Sequence, residues 1–321
     1  MDNVILLADK NSPSWDFAEK IKEYIRIKKE VEVPLEEVCI EFFRNKEINM
    51  HIPENVRKKD VYFIHDSSKN PQEWWVELLL LKDLLLSASA ESVTYVLPNM
   101  LYARQDRKPK PHVPISARAF ARSISPGLKR IITMDLHAQQ IQGFYPENVP
   151  LDSLDSFPEV VRYLQENKKD INNLEELVIV SPDLGGTKRA RALAKRLKSN
   201  YPIALIDKTR SQPGQIEEMM LIGDVKSKNV LVTDDIIDSG GTLCDAYKLL
   251  KKEGALKIWN YATHGLFTKG TKEICDCYDR VMVSNTHFIE KDGIEIIDVT
   301  SLMGEAIYRA QKGLSISKLF E

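Results

Sequence analysis

The chain has 321 residues, 43% of them hydrophobic and 29% charged, and 45 Lys and Arg against 47 Asp and Glu leave a net charge of −2. That length suits two domains of ordinary size, each with its own core. In the near-neutral balance nothing marks a surface built to attract nucleic acid, so any phosphate chemistry must rest on local groups.

The start, MDNVILLADKN, lacks the basic flank and long apolar centre of a secretory signal, and a cytoplasmic location is expected. VILLA (4–8), DVYFIHD (60–66), SVTYVLP (92–98) and RIITMDL (130–136) read as strands. Between them, SWDFAEKIKEYIRIKK and PQEWWVELLLLKDLLLSA carry apolar residues at three- and four-residue spacing, as amphipathic helices do. Within the second, VELLLLKDLLL is interrupted by Lys82 and Asp83 and is too short to cross a membrane. YPENVPLDSLDSFPE (145–159), with three prolines and four acids, is the candidate linker. The pattern then recurs. ELVIVSPD, YPIALIDK, KNVLVTDD, ALKIWNYATH and DRVMVSN read as strands, and KRARALAKRLKS and LCDAYKLLKKEG as helices. KTRSQPGQIEEMM (208–220) has no clear periodicity, and a loop that long is usually functional. Cys39, Cys244, Cys275 and Cys277 make no disulfide framework, and Cys275-Asp276-Cys277 lacks the second pair of a zinc site.

Alternating strands and helices with apolar, β-branched strands imply parallel sheets covered on both faces. The expected fold is therefore α/β, with two similar domains at 1–150 and 151–321. The last residues are a candidate to pack back on the N-terminal domain.

VLVTDDIIDSGGT (230–242) crowds three acids into five positions. VLVT reads as ending at Thr233, which puts Asp234 and Asp235 at the carboxyl edge of a parallel sheet, where ligands bind. Asp238, Ser239, Gly240, Gly241 and Thr242 then lead into a helix starting near Leu243. Small residues there let backbone N–H groups and the helix dipole cradle a phosphate. Carboxylates cannot bind phosphate, so Asp234 and Asp235 need sugar hydroxyls or a cation. The bland alternative is an acidic surface turn with a serine or threonine cap.

This stretch closely resembles the phosphoribosyl-diphosphate motif of the type I phosphoribosyltransferase fold. YARQDRK (102–108), ITMDLHAQQIQGF (132–144), VIVSPDLGGTKRARALAKRL (178–197) and LSISKLF (314–320) further resemble the ribose-phosphate diphosphokinase family, which makes the donor for those transferases. The resemblance runs from about residue 5 to the end of the chain. It implies an enzyme that transfers a diphosphate from ATP to O1 of ribose 5-phosphate, with Mg²⁺ as cofactor. It implies that residues 238–242 hold the sugar phosphate and that Asp234 and Asp235 hold the ribose hydroxyls. His137 and Asp183 match the metal-site positions; from the residues alone, His137 could be a hydrogen-bonded edge histidine and Asp183 a helix cap. Arg104 and Gln105 match ATP contacts. Lys208 and Arg210 match the basic residues of a mobile catalytic loop, although Thr209 stands where the family commonly has another cation.

CIEFFRNKEI (39–48) resembles the family's adenine loop, which reaches a neighbouring subunit, with Phe43 stacking and Glu47 as a polar contact. Asn45 replaces the family's usual aspartate, which changes the hydrogen bonds offered to the base edge. Phe42 and Phe43 could instead be core residues of a strand. A homo-oligomer follows from the resemblance, built from dimers and up to a hexamer in size. Arg57, Ser89, Gln142, Ser315 and Ser317 match the family's allosteric phosphate and ADP site, but Pro109-Lys110-Pro111-His112-Val113 departs from it. The helix KRARALAKRL reads as solvated, with Lys188 and Arg189 near the phosphate and neither assigned a role. Two other readings are a non-catalytic regulatory paralogue, which would not need His137, Asp183, Lys208 and Arg210, and a salvage phosphoribosyltransferase, for which no base-recognition hood is evident.

Overall fold

Runs of apolar residues about five long form the strands, and they are buried along their whole length because helices cover both faces of each sheet. The structure, a computed structural model, describes residues 1, 3–167, 173–209, 218–288 and 292–319. The chain forms two compact units: Met1–Asp155 with Thr286–Phe288 and Val299–Glu321, and Ser156–Asn285 with Ile289–Asp298.

The first unit takes up β1 (Val4–Ala8), α1 (Ser14–Lys29), β2 (Leu35–Glu37), β3 (Cys39–Phe42), β4 (Ile48–His51), β5 (Asp60–Ile64), α2 (Pro71–Ser87), β6 (Ser92–Leu97), α3 (Ser116–Ile124), β7 (Arg130–Met134) and β8 (Leu151–Leu154). Its sheet runs β2-β1-β5-β6-β7-β8 with every neighbour parallel. Alternation along a strand separates two cores. Ile5, Leu7, Val61, Phe63 and Tyr95 pack with Leu78 and Leu81 of α2 and Phe120 of α3. Val4, Leu6, Tyr62 and Ile64 pack on the opposite face with Ile21 and Ile25 of α1. The segment 145–159 reads as a linker but contains β8, whose residues Ile131↔Leu151 to Met134↔Leu154 extend the sheet. Its prolines flank the strand and leave the paired residues free to bond.

The second unit continues with α4 (Phe157–Glu166), β9 (Leu177–Ser181), α5 (Thr187–Leu197), β10 (Ala204–Thr209), β11 (Glu218–Ile222), β12 (Asn229–Ile237), α6 (Gly241–Lys252), β13 (Ile258–Gly265), α7 (Lys272–Cys277), β14 (Arg280–Ser284) and β15 (Glu295–Ile297). The order is β11-β10-β9-β12-β13-β14-β15, parallel except for β10 with β11. The large buried Trp259 and Tyr261 lie on the face covered by α4 and α5, and α6 covers the other. The final helix, α8 (Thr300–Lys312), belongs to the first unit. Met303, Ala306 and Ile307 join the α1 core. Tyr24 donates to Glu305 at 2.8 Å and Gln311 to Asp60 at 2.8 Å. Among the described residues, no helix is long and apolar enough to cross a membrane.

Candidate functional site

From β9 the chain of the second unit moves to β10 on one side and then to β12 on the other. The carboxyl ends of β9 and β12 therefore flank a topological switch point, the usual ligand crevice of such sheets. Asp234 and Asp235 stand there, but not because their strand ends at Thr233. β12 runs to Ile237 and keeps its ladder with β13 as far as Gly265. Its pairing with β9 stops at Val232↔Val180, so the acids rise beyond the end of the shorter neighbour.

The acids are close together and shielded. Asp235 is buried and Asp234 is half-buried. Burial and the adjacent Asp235 carboxylate push the Asp234 carboxyl up to about 8. Arg189, in the first turn of α5, offsets this in part, with Nη1 2.9 Å from Asp235 Oδ1 and 3.5 Å from Asp234 Oδ1. The solvated reading of that helix is thus corrected for this residue. A signal was present: a cation in the first turn opposes the helix dipole, so its position needs an acidic partner.

After β12, residues 238–242 turn into α6. Thr268 donates through Oγ1 to Asp238 Oδ1 at 2.7 Å, which ties the loop to the segment after β13. Gly240 has φ 83°, a left-handed conformation that strains any residue with a Cβ. The helix begins at Gly241, two residues earlier than the apolar pattern suggests, and no side chain caps it. Its leading amides and the Ser239 and Thr242 hydroxyls are groups suited to an anion.

Asp183 follows β9 in an exposed position. Its Oδ1 accepts from the Gly186 N–H at 2.8 Å, which braces the turn before α5, but no side chain caps the helix itself. A carboxylate has further acceptor sites beyond that bond. Gly186 is required, since a Cβ there would lie 2.6 Å from Ser181 Oγ. Lys208 lies within β10 in register with Met219, so the stretch 208–220 is less irregular than its composition indicates. Arg210 lies outside the described residues.

The first unit holds the remaining candidates. Arg104 and Gln105 are exposed in the loop after β6, where Ser116 Oγ donates to Gln105 Oε1 at 2.5 Å. His137 is exposed three residues beyond β7. Gln140 Nε2 donates to Asp106 Oδ2 at 2.8 Å, which joins the loop bearing His137 to that bearing Arg104. Phe43, Asn45 and Glu47 occupy the tip of the β3–β4 hairpin, closed by Phe43 N–H to Glu47 O at 2.9 Å and Glu47 N–H to Asn45 Oδ1 at 3.2 Å. Phe42 and Phe43 are 48% and 55% exposed, so neither is a core residue of this chain. Of the candidate allosteric positions, Ser315 and Ser317 have hydroxyls 2.9 Å apart, and the turn holding Arg57 meets Ser89 through Lys58 N–H to Ser89 O.

Among the described residues no group of three or more His, Cys, Asp or Glu side chains could hold a metal by itself. A cation here would have to bring most of its ligands as water and substrate oxygens. That fits a hard ion such as Mg²⁺ and fits no structural zinc or calcium cage.

Comparison with known proteins bears on the family and the fold. Residues 8–126 match the model of the N-terminal domain of ribose phosphate pyrophosphokinase, and residues 151–293 match the phosphoribosyl transferase domain. A ribose-phosphate pyrophosphokinase of Rhizobium meliloti is 40% identical over 95% of this chain and 96% of its own length. Ribose-phosphate pyrophosphokinase 2 of Schizosaccharomyces pombe is 39% identical over 92% of each chain. The crystal structure of phosphoribosylpyrophosphate synthetase from Mycobacterium smegmatis superposes with a TM-score of 0.83 at 32% identity, covering 97% of this chain and 99% of that one.

Proposed function

The chain belongs to the ribose-phosphate pyrophosphokinase family, and from that premise we propose how its residues divide the reaction. The enzyme transfers the β,γ-diphosphate of ATP to O1 of ribose 5-phosphate, giving 5-phosphoribosyl 1-diphosphate and AMP. O1 attacks the β-phosphorus in line, so the protein contributes positioning and charge neutralisation.

Ribose 5-phosphate is held in the second unit, its phosphate by residues 238–242 and its adjacent hydroxyls by Asp234 and Asp235. The observation that carries this reading is the acid pair beside an uncapped, glycine-led helix start at the sheet's switch point. ATP is held by the first unit, with Arg104 on the polyphosphate, Gln105 beside it, and Phe43, Asn45 and Glu47 at the base. Lys208 and Arg210 neutralise the charge that develops on the transferred group. Mg²⁺ is the cofactor, with His137 and Asp183 as the protein groups that would hold it, and when bound it supplies charge neutralisation on phosphate oxygens. The exposed aromatic tip of the β3–β4 hairpin supports a homo-oligomer, from a dimer up to a hexamer, in which Phe43 serves a neighbouring subunit. The reaction belongs to the cytoplasm.

The test is direct. Purified protein with ribose 5-phosphate, Mg²⁺ and ATP should release AMP only when ribose 5-phosphate is present. No AMP, even with inorganic phosphate added, sinks the reading.

A further inference from the structure

Arg189 faces the two adjacent acids of β12, and its position is costly unless it has work there. Arg189 sits in the first turn of α5, where the dipole disfavours a positive charge and no acidic residue of that turn offsets it. Its side chain is only 17% exposed, and those of Asp234 and Asp235 are 19% and 6% exposed. A solvated helix face would leave an arginine much more open to water.

The bonds grip Oδ1 of each carboxylate. Arg189 Nη1 donates to Asp235 Oδ1 at 2.9 Å and approaches Asp234 Oδ1 at 3.5 Å. Asp234 Oδ1 also accepts the Asp235 N–H at 2.9 Å. The terminal torsion of an aspartate is otherwise broad, with no sharp staggered minimum. Two adjacent hydroxyls of a sugar need two acceptors at a set separation and direction, which freely rotating carboxylates do not offer. A guanidinium supplies that constraint because its donors are planar and rigid, whereas an ammonium would supply charge alone.

We propose that Arg189 is the positioning residue of the sugar site: it touches the acids and not the ribose, and holds Asp234 and Asp235 in the orientation that receives the two hydroxyls. The proposal rests on the assignment of the acid pair to ribose 5-phosphate. Arg189 also makes the adjacent charges more tolerable before the sugar arrives, since its guanidinium opposes the rise that burial and Asp235 impose on Asp234.

The experiment uses the full chain and two measurements, calorimetric titration with ribose 5-phosphate and initial rates of AMP release. Arg189→Ala should weaken ribose 5-phosphate binding and raise its KM by roughly 10- to 100-fold, as expected for loss of a charge-assisted contact. The KM for ATP should stay within about twofold of the parent value. Arg189→Lys should fall between the two, restoring charge without the fork. Because Arg189 acts through Asp235, Arg189→Ala combined with Asp235→Asn should be no worse than the worse single variant.

A ribose 5-phosphate KM within about twofold of the parent in Arg189→Ala overturns the proposal. So does an equal rise in both KM values together with a lowered Tm, which marks a residue that only supports the fold. Additive losses in the double variant overturn it as well, because Arg189 would then touch substrate itself. If Asp235→Asn alone leaves ribose 5-phosphate binding unchanged, the assignment of the acids fails and takes this proposal with it. That result is distinct from a failure confined to Arg189, in which Asp235→Asn alone weakens binding.

Discussion

Each unit has a switch point, and the two differ in how their acids are matched. In the first unit the crevice lies between the ends of β1 and β5. There Lys69 donates to Asp9 at 2.9 Å and to Glu77 at 2.8 Å, and His65 Nε2 lies 3.1 Å from Glu77 Oε2. Ser12 donates to Asp66 at 2.8 Å, and the Ser68 backbone N–H donates to the same carboxylate at 2.8 Å. Burial alone would raise the Glu77 carboxyl, but the hydrogen bond from His65 and the Lys69 ammonium hold it below its usual range. In the second unit the Arg189 guanidinium faces two adjacent acids, and Asp234 moves in the opposite direction, to about 8. Acids that the fold neutralises from within serve the fold. The acids of β12, whose shared guanidinium does not offset their burial and mutual repulsion, are the pair proposed to meet a ligand.

The largest expected effect lies on the second side of this contrast. Lys208→Ala should lower kcat by ~10²–10³ while the ribose 5-phosphate KM moves less than about threefold, as for a group that acts on developing charge. Equal losses in both, read from initial rates, would contradict that role. Asp234→Asn with Asp235→Asn should cut kcat/KM for ribose 5-phosphate by ~10²-fold, since buried polar contacts to substrate hydroxyls are lost. Thermal unfolding of that variant sets relief of like-charge repulsion against loss of the Arg189 ion pair, so Tm should move little; a drop as large as that of Lys69→Met would mean that the pair is structural.

Lys69→Met gives the converse. It leaves Asp9 and Glu77 without their shared cation and should cost ~3 kcal/mol of stability. The AMP-forming activity per folded molecule should be unchanged, and an altered ribose 5-phosphate KM with normal stability would erase the distinction between the crevices.

Acidity separates them by sign. Burial holds the His65 imidazole below its ordinary 6.5, and Glu77 lies below 4.5, so both contribute stability that is present at higher pH. That stability drains below about pH 6.5 for His65 and below 4.5 for Glu77, as the unfolded chain takes up protons first. Asp234, raised above 3.8 to about 8, contributes in the reverse sense and loses its part as pH rises through that value. Because Asp234 acts in both proteins alike, urea denaturation at pH 5.5 and 7.5 should show the parent weakened at the lower pH relative to His65→Gln. The same pH response in parent and variant would remove His65 from the account.

The smallest effect concerns the helices that start beside the crevices. Asn70 Oδ1 caps α2 by accepting from Gln72 N–H at 3.0 Å, whereas α6 follows Gly240 with no side-chain cap. Asn70→Ala should cost ~1 kcal/mol in denaturant midpoint and leave catalysis unaltered. A catalytic defect there would show that the first crevice does more than support its own unit.

Local order was legible in the residues because it is set by local physics. Strands β1, β5, β6, β7, β9 and β12 announced themselves as apolar, β-branched runs, and the periodicity of α1 and α2 matched their final extents. The cradle at 238–242 and the paired acids were visible as composition alone, since few residue types besides Gly, Ser and Thr let backbone amides approach an anion. Long-range pairing decided the rest. β8 hides in a proline-rich stretch because its four residues become a strand only beside β7. The acids stand at an edge because β9 ends early, a fact of register between segments some 50 residues apart. Arg189 reads as one cation among many on a basic helix, and only the packing of α5 against β12 aims it at Asp235. Sequence by itself determined the class of fold, the family and the sugar-phosphate motif. Which charges meet was settled only by tertiary structure, because Coulombic and hydrogen-bond energies depend on distances that no local pattern encodes.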